Sequence, residues 1–308
     1  MTTTPPAARQ QQPATPARRL RAVIQSVRPK QWPKNLLVLA APLAAGMFTR
    51  LAGFWHASLA VAAFIAASSA VYLVNDVLDV DRDKRHPRKR HRPIAAGLLP
   101  KNIAISIAGV LALGSAVAGL ATGTPWLAVI IVAYLAISFS YSAGLKHVPV
   151  VELAAVASGF LLRVLGGAAA THVRPSGWFL LVCGLGALTV AIAKRRIEMT
   201  GLGPDAAAHR PATRHYGIGF LPHAQRAAST AMVLCYLLWA GGEPHAAERP
   251  WRLASAAALT LALVGFDRLA ADRTTKPVED LLARDRVMIS CELAWLGLFA
   301  AGLYSAAR

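Results

Sequence analysis

Directly after the apolar segment 54–74, the chain reads Asn75-Asp76-Val77-Leu78-Asp79-Val80-Asp81-Arg82-Asp83. The apolar segment is long enough to cross a bilayer as a helix. If that helix continues beyond the membrane, Asp76, Asp79 and Asp83 fall at i, i+3 and i+7 and share one face. Asp81 lies well off that face, so it is the least suited to join the other three.

Three carboxylates on one helix face repel one another unless a cation lies between them. Mg²⁺ binds one or two carboxylates and fills its other octahedral positions with water and phosphate oxygens. The acidic stretch therefore predicts a site for Mg²⁺ and a diphosphate, with Asp76, Asp79 and Asp83 as candidate metal ligands. The alternative is a solvated loop whose acidic side chains offset the basic run at 84–93.

The composition predicts an all-α integral membrane protein. Of the 308 residues, 55% are hydrophobic and only 16% are charged, and the mean hydropathy is +0.44, which is too apolar for a soluble domain of this size. Residues 17–308 are predicted to form one helical bundle, after a polar tail (1–16) that is expected to be disordered and has no signal-peptide core. The nine predicted spans are 35–50, 54–74, 103–123, 125–142, 149–170, 176–193, 227–242, 252–271 and 287–307.

The positions of Lys and Arg predict the orientation. With the N-terminus inside, the cytoplasmic segments 1–34, 75–102, 143–148, 194–226 and 267–286 hold 27 of the 33 Lys and Arg residues. This asymmetry predicts a multi-pass plasma-membrane protein whose Asp cluster faces the cytoplasm. It also accounts for most of the net charge of +18 without nucleic acid, for which no motif is present. Such a surface attracts anionic lipid headgroups and anionic substrates.

The first cationic stretch precedes the first span. Leu20, Val23, Ile24 and Val27 recur at helical spacing among arginines, as in a helix lying on the cytoplasmic leaflet, or simply in a lead-in to the first span. In the following Pro29-Lys30-Gln31-Trp32-Pro33-Lys34, two prolines break the chain at the interface. Lys30 and Lys34 are therefore candidates for binding an anion, although the stretch is also typical of a juxtamembrane anchor.

Two candidates lie in and after the fourth span. Tyr141 and Lys146 can bind phosphate oxygens, but they also fit an interfacial aromatic and a positive-inside lysine. Within the fifth span, Arg163 is costly in a membrane and needs a polar partner. It is interpreted either as a phosphate ligand or as half of an internal ion pair, with Glu152 as the second charge in this span. The neighbouring Gly166 and Gly167 permit close helix packing.

The sixth span ends in Lys194-Arg195-Arg196-Ile197-Glu198. Lys194 and Glu198 share a helix face, and three cations also complement the dipole at a helix C-terminus. The loop that follows, to Arg226, is long enough to cap a site. The three cysteines, Cys183, Cys235 and Cys291, lie apart in apolar spans and are interpreted as packing residues.

Taken together, these motifs resemble the UbiA superfamily of intramembrane prenyltransferases. The pattern Asn-Asp-x-x-Asp-x-x-x-Asp after the second of nine spans carries the resemblance. A narrower match, to the members that transfer a phosphoribosyl group to a polyprenyl phosphate, rests on further stretches. These are Arg28–Asn35, Arg90-His91-Arg92-Pro93, Tyr141-Ser142 with Leu145-Lys146, Arg163, and Lys194-Arg195-Arg196 with Glu198. The resemblance covers nearly everything from Arg28 to the last span.

The chain departs from the general superfamily pattern in one informative place. Ordinary members carry a second Asp-rich motif after the sixth span, which binds a prenyl diphosphate through a second Mg²⁺. Here Lys194, Arg195 and Arg196 stand in that place. Fixed cations suit a ligand with more phosphate groups that is engaged directly, such as phosphoribosyl pyrophosphate (PRPP).

The resemblance implies transfer of the 5-phosphoribosyl group from PRPP to a polyprenyl (decaprenyl) phosphate, with release of pyrophosphate, in the synthesis of cell-wall arabinan precursors. It makes Mg²⁺ the cofactor and Asp76, Asp79 and Asp83 the catalytic, metal-binding residues. The oligomeric state is left open, and a homo-oligomer is one option. The implied substrate-binding residues are Lys30, Lys34, Asn75, Arg82, Tyr141, Lys146, Arg163, Lys194, Arg195 and Glu198.

Two other functions remain as alternatives. One is a UbiA-type aromatic prenyltransferase that uses a prenyl diphosphate, against which the missing second Asp motif counts. The other is a non-catalytic transporter or scaffold. Paired discontinuous helices or an internal repeat would favour transport, and the sequence has no clear repeat.

Overall fold

The computed structural model describes residues 15–202, 216, 219–242, 248–271, 278 and 285–306. In these residues the regular structure is entirely helical. The predicted disordered tail lies, except for its last two residues, outside the described residues, as does most of the predicted capping loop after the sixth span. Tyr216 is the one residue between 203 and 218 that is described, and residues 220–226 of the predicted loop are helical.

Eleven α-helices account for most of the described chain. The long ones are α3 (Leu51–Leu78), α5 (Lys101–Leu120), α6 (Trp126–Ala143), α7 (Val151–Ala170), α8 (Gly177–Leu202), α9 (Phe220–Gly241), α10 (Arg249–Ala271) and α11 (Arg286–Ala306). The short ones are α1 (Pro16–Ser26), α2 (Ala40–Ala44) and α4 (Val80–Arg85), and 3₁₀ helices cover Pro29–Leu39, Met47–Thr49, Lys89–His91 and Leu145–His147.

Seven of these helices, all the long ones except α9, are long and apolar enough to cross a membrane. Their outer surfaces are apolar, as contact with lipid requires. On α5, for example, Val110, Leu113 and Val117 are 72%, 69% and 57% exposed, which would be unfavourable in water but is normal against acyl chains. The chain is therefore a multi-pass membrane protein, as the composition predicts.

The first predicted span, 35–50, is not a single helix. A 3₁₀ helix (Pro29–Leu39) runs into α2, and the chain then turns at Gly46, whose φ is 64°. Pro42 contributes to the interruption, because it lacks the N–H that a continuous α-helix would bond to the Val38 carbonyl and its ring crowds that carbonyl. The count of nine spans thus remains a prediction, since the described residues give eight long helices and this broken segment.

Short connections make neighbouring long helices antiparallel. The segments between α5 and α6, α6 and α7, and α7 and α8 have only a few residues each. Further packing joins α3 to α5, α8 to α9, and α10 to α11, and a core of Phe64, Leu127, Ile131 and Tyr134 fills the space between α3 and α6. One end of the bundle therefore collects the C-terminal ends of α3, α6, α8 and α10.

Candidate active site

The acidic stretch lies at this end of the bundle and is interrupted within it. Helix α3 ends at Leu78 and α4 begins at Val80, so the helix does not continue unbroken as expected. Two backbone hydrogen bonds nevertheless keep the helical spacing, from the Asp79 N–H to the Asn75 carbonyl and from the Asp83 N–H to the Asp79 carbonyl. The side chains of Asp76 and Asp83 consequently still lie on the same side of this segment.

Two arginines bind the carboxylates of Asp76 and Asp83. Arg92 Nη1 lies 3.0 Å from Asp76 Oδ1 and 2.7 Å from Asp83 Oδ2, and Arg28 Nη2 lies 2.5 Å from the same Asp76 oxygen. Both aspartates are only 2% exposed. Buried carboxylates need such partners, because removing a charge from water is costly unless it is paired.

Arg28 occupies an unusual backbone position to make this contact. Its φ is 52°, in the left-handed region that non-glycine residues rarely adopt, and Pro29 follows it directly. Its guanidinium also stacks over the ring of Tyr72 at 4.8 Å. Strained backbone of this kind is concentrated at functional sites.

Asp79 has different partners. Lys146 Nζ lies 2.8 Å from Asp79 Oδ1, and Arg82 Nη1 lies 3.8 Å from the same oxygen. Lys146 is 7% exposed and sits in the 3₁₀ helix that follows α6, soon after the half-buried Tyr141. Asp81 is exposed, as expected for a residue off the shared face. The three predicted ligands are thus close in the fold, but each is held by protein cations.

A second polar network lies at the start of α7 and the end of α8. Arg195 Nη2 is 2.7 Å from Glu152 Oε2, and Arg195 Nη1 also pairs with Glu198. The Tyr216 hydroxyl donates a hydrogen bond to Glu152 Oε1 at 3.2 Å and accepts one from the Val150 N–H at 3.0 Å. Burial raises the pKa of Tyr216, so the phenol keeps its proton and remains a donor.

The Lys194–Arg196 row is divided between two sides of α8. Arg195 faces α7, whereas Arg196 pairs with Asp267 of α10 at 2.6 Å and faces away from this network. Lys194 is exposed at the same turn, and Glu198 is half-buried. The row therefore does not present three adjacent cations to one ligand, because α8 turns by about 100° per residue.

Arg163 lies deep in the bundle and has no carboxylate partner among the described residues. Its Nε donates to Asn35 Oδ1 at 2.8 Å, Nη1 to the Gly159 carbonyl at 2.7 Å, and Nη2 to the Tyr134 hydroxyl at 3.0 Å. The guanidinium also lies 4.7 Å from the Tyr134 ring centroid. The internal ion-pair interpretation is therefore wrong within the described residues. Arg163 instead ties the 3₁₀ helix Pro29–Leu39 to α6 and α7.

Comparison with known proteins decides the family. Residues 36–284 match the UbiA prenyltransferase family. The chain belongs to this family. This membership confirms the resemblance predicted from the Asn-Asp motif, and it covers the carboxylates of α3 and α4 as well as the networks of α7 and α8.

Two relatives of this UbiA protein are similar over almost their whole length. A decaprenyl-phosphate phosphoribosyltransferase from Mycobacterium tuberculosis is 39% identical over 94% of this chain and 96% of its own. The enzyme of the same name from Corynebacterium glutamicum is 36% identical over 92% of this chain and 86% of its own. The narrower resemblance is thereby confirmed as well.

The solved structure of a UbiA homologue from Archaeoglobus fulgidus, bound to GPP and Mg²⁺, has the same fold. It superposes with a TM-score of 0.68, at 14% identity, over 93% of this chain and all of its own. At this identity the likeness concerns the fold alone.

The donor set at Asp76 and Asp83 fits a divalent cation. Two buried carboxylate oxygens already meet at one nitrogen of Arg92, and hard oxygen ligands of this kind suit Mg²⁺. Within the described residues no group of three or more His, Cys, Asp or Glu side chains forms a complete metal cluster. Mg²⁺ does not require one, because it usually takes only one or two carboxylates and completes its shell with water and substrate phosphates.

Several residues of this UbiA site escaped the list of sequence candidates. Arg28 and Arg92 stand in the quoted motifs, but their pairing with Asp76 spans 48 and 16 residues of sequence. Asn35 also stands in a quoted motif, and its contact with Arg163 spans 128 residues. The sequence does indicate that a charged residue inside the membrane needs a polar partner. It does not indicate which residue that partner is.

Proposed function

We propose that the protein transfers the 5-phosphoribosyl group of PRPP to a polyprenyl phosphate, decaprenyl phosphate in the relatives' names, and releases pyrophosphate. The observation that carries this proposal is the match over 94% of the chain to a relative of that activity. The geometry supports it, because buried carboxylates, cations and a membrane-embedded bundle meet at one end of the fold. The product would serve the synthesis of cell-wall arabinan precursors.

The site would act mainly by positioning and electrostatics. Mg²⁺, when bound by Asp76 and Asp83 with Asp79 nearby, would supply positive charge to the diphosphate. Arg28, Arg92 and Lys146 can exchange their carboxylate partners for phosphate oxygens as the donor arrives, since guanidinium and ammonium groups bind both. These cations then neutralise the charge that develops on the leaving group.

The chemical step needs no general base from the protein. A phosphate oxygen of the lipid forms a bond to C1 of the ribose while the bond from C1 to the diphosphate oxygen breaks. The electron pair of that bond leaves with pyrophosphate. Because the acceptor is already an anion at neutral pH, no proton has to be removed, and the enzyme's part is to align the two reactants.

The other candidate contacts are assigned by position. Lys30, Lys34, Asn75, Arg82, Tyr141, Lys194, Arg195 and Glu198 are proposed to surround the phosphates of donor and acceptor. Their division between the two substrates is not assigned. Arg195 would take part while it remains paired with Glu152 and Glu198. Arg163 is proposed to serve the site indirectly, through Asn35 and the segment that carries Arg28, Lys30 and Lys34.

We further propose that the N-terminus and this end of the bundle face the cytoplasm, in the plasma membrane. The positive-inside distribution supports this orientation, since 27 of 33 Lys and Arg residues fall on that side. A water-soluble, highly charged donor can then reach the carboxylates from the aqueous phase, while the prenyl tail of the acceptor lies among the spans.

The test uses the full chain purified in detergent with Mg²⁺, a polyprenyl phosphate and PRPP labelled in the ribose ring. Label should enter the lipid phase with the wild type, and Asp76→Asn should reduce the rate by at least about 100-fold, given what removing one electrostatic contact to a transition state costs. Asp81→Asn is the matched control, because Asp81 is exposed in the same stretch, and it should keep near-wild-type activity.

The alternatives make distinct predictions in the same assay. Turnover of a prenyl diphosphate with an aromatic acceptor, and none with PRPP, would replace the proposal by an aromatic prenyltransferase. An absence of both reactions in folded protein would favour a non-catalytic membrane protein. Equal loss in the Asp76 and Asp81 variants would contradict the placement of the site.

A further inference from the structure

Helix α1 is fixed against the bundle at its base. Ala22 and Ser26 are 2% and 1% exposed, and Ala22 packs in a core cluster with Leu73, Ile94 and Leu99. The helix therefore lies on the protein next to the turn before α5, at the same end as the carboxylates of α3. It is a fixed surface feature and not a loose extension.

The exposed part of α1 carries positive charge that no described residue neutralises. Arg18 and Arg21 are exposed and form no ion pair or hydrogen bond through their side chains with the described residues. Helix α1 itself contains no Asp or Glu, since the first acidic residue of the chain is Asp76. Leu20 and Ile24 are 63% and 50% exposed on the same helix, and Arg21 precedes Ile24 by three residues, so cation and apolar surface adjoin.

A cavity of about 340 Å³ opens between α1 and the turn before α5. Its walls are Arg18, Arg21, Ala22, Gln25 and Leu98. Two guanidinium groups and one amide offer hydrogen-bond donors suited to phosphate oxygens, while Ala22 and Leu98 provide apolar contact. A free phosphate ion would use only the first half of this lining, whereas an amphiphilic anion would use both.

We propose that this cavity binds the phosphate headgroup of an anionic phospholipid from the adjacent leaflet. The occupant follows from charge complementarity and from the place of α1 in a membrane protein. Basic side chains beside exposed apolar ones, on a helix at the bilayer surface, bind acidic lipids in preference to zwitterionic ones. The site is separate from the reaction proposed above and does not depend on it.

The test is lipid binding to the full-length protein in detergent, without PRPP, by native mass spectrometry. The probes are phosphatidylglycerol, phosphatidylcholine and inorganic phosphate. Phosphatidylglycerol should bind more tightly than phosphatidylcholine. Arg21→Gln should weaken phosphatidylglycerol binding about tenfold, as expected for a lost charge-assisted hydrogen bond, and Arg18→Gln should act in the same direction.

Arg19→Gln is the matched control, since it removes the same charge from the same helix at a position outside the cavity. Its phosphatidylglycerol affinity should stay within about twofold of the wild type, because a diffuse surface charge is worth little. Equal weakening by Arg19→Gln and Arg21→Gln would reduce the effect to net charge and overturn the proposal. So would equal binding of the two lipids, or displacement of phosphatidylglycerol by an equimolar concentration of inorganic phosphate.

Discussion

The close packing of Gly167 against the backbone of Val38 allows a quantitative test of how the broken first span is held in place. On α7, a Cβ added at Gly167 would overlap the carbonyl oxygen of Val38 and lie 2.8 Å from its carbonyl carbon. Ordinary contacts between carbon atoms are about 3.5–4.0 Å. Gly167→Ala therefore requires the backbone at Val38, near the end of the 3₁₀ helix Pro29–Leu39, to move by more than about 1 Å, because the overlapping carbonyl oxygen must withdraw further than the carbon.

The size of the effect follows from two opposing contributions. Forcing extra atoms into a packed core costs about 1–3 kcal/mol, and the upper part of that range applies because the obstacle is backbone and not a flexible side chain. Replacing Gly by Ala inside a helix returns about 0.5–1 kcal/mol. The net expectation is a destabilisation of about 1–2.5 kcal/mol.

Gly114→Ala on α5 is the matched control, since an added Cβ there meets nothing within 4 Å. It should be neutral or stabilising by the same helix contribution. The two purified variants should then differ in stability by about 1–3.5 kcal/mol. At about 2–4 °C per kcal/mol for chains of this order of size, their melting temperatures should differ by roughly 2–14 °C. Gly167→Ala should also raise the KM for PRPP, because the displaced segment begins at Arg28. Equal melting temperatures for the two variants would refute the packing argument.

Two further substitutions test the polar networks. Arg163→Lys keeps the charge but cannot reproduce three directed hydrogen bonds, so we expect a loss of about 1–3 kcal/mol in stability, whereas the exposed Arg174→Lys should change the melting temperature little. Tyr216→Phe removes the donor to Glu152 and leaves the Val150 N–H without its partner. We expect this to lower the stability by about 1–3 kcal/mol. Because burial raises the pKa of Tyr216, the loss of stability in Tyr216→Phe should be the same at every pH below about 10. A loss that varies between pH 7 and 9 would contradict the role of Tyr216 as a protonated donor.

The membrane fold was accessible from the sequence because its cause is local. Apolar runs of about 20 residues specify membrane helices by length and hydropathy alone, and the described part of the chain contains seven such helices. The spacing of Asp76 and Asp83 was equally readable, since a helical period brings i and i+7 to one face. Both inferences use only the neighbours of each residue in the chain.

The remaining features depend on tertiary contacts that spacing does not encode. The pairing of Arg28 with Asp76 joins residues 48 apart. The separation of Arg195 from Arg196 depends on which helices flank α8, with Glu152 on one side and Asp267 on the other. The broken first span was mistaken for a continuous helix because its apolar composition outweighed Pro42, the one proline within it.

The interruption of the helix at Asp79 also could not be predicted from the sequence. The residues around it favour a continuous helix as much as a break, yet α3 ends at Leu78. The break turns Asp79 towards Lys146 while Asp76 and Asp83 share Arg92. The site thus contains a pair of carboxylates that share Arg92 and a third with its own partner, where the helical pattern predicts three carboxylates on one face.

In the proposed reaction, the 5-phosphoribosyl group is transferred from PRPP to the lipid phosphate in one step, and pyrophosphate is released. The most direct measurement quantifies pyrophosphate and the lipid product together, the latter identified by mass as polyprenyl phosphate plus one phosphoribosyl unit. One pyrophosphate is expected for each lipid product, and none when the lipid is omitted. Pyrophosphate released from PRPP without lipid, or a lipid product that lacks the 5-phosphate, would contradict it.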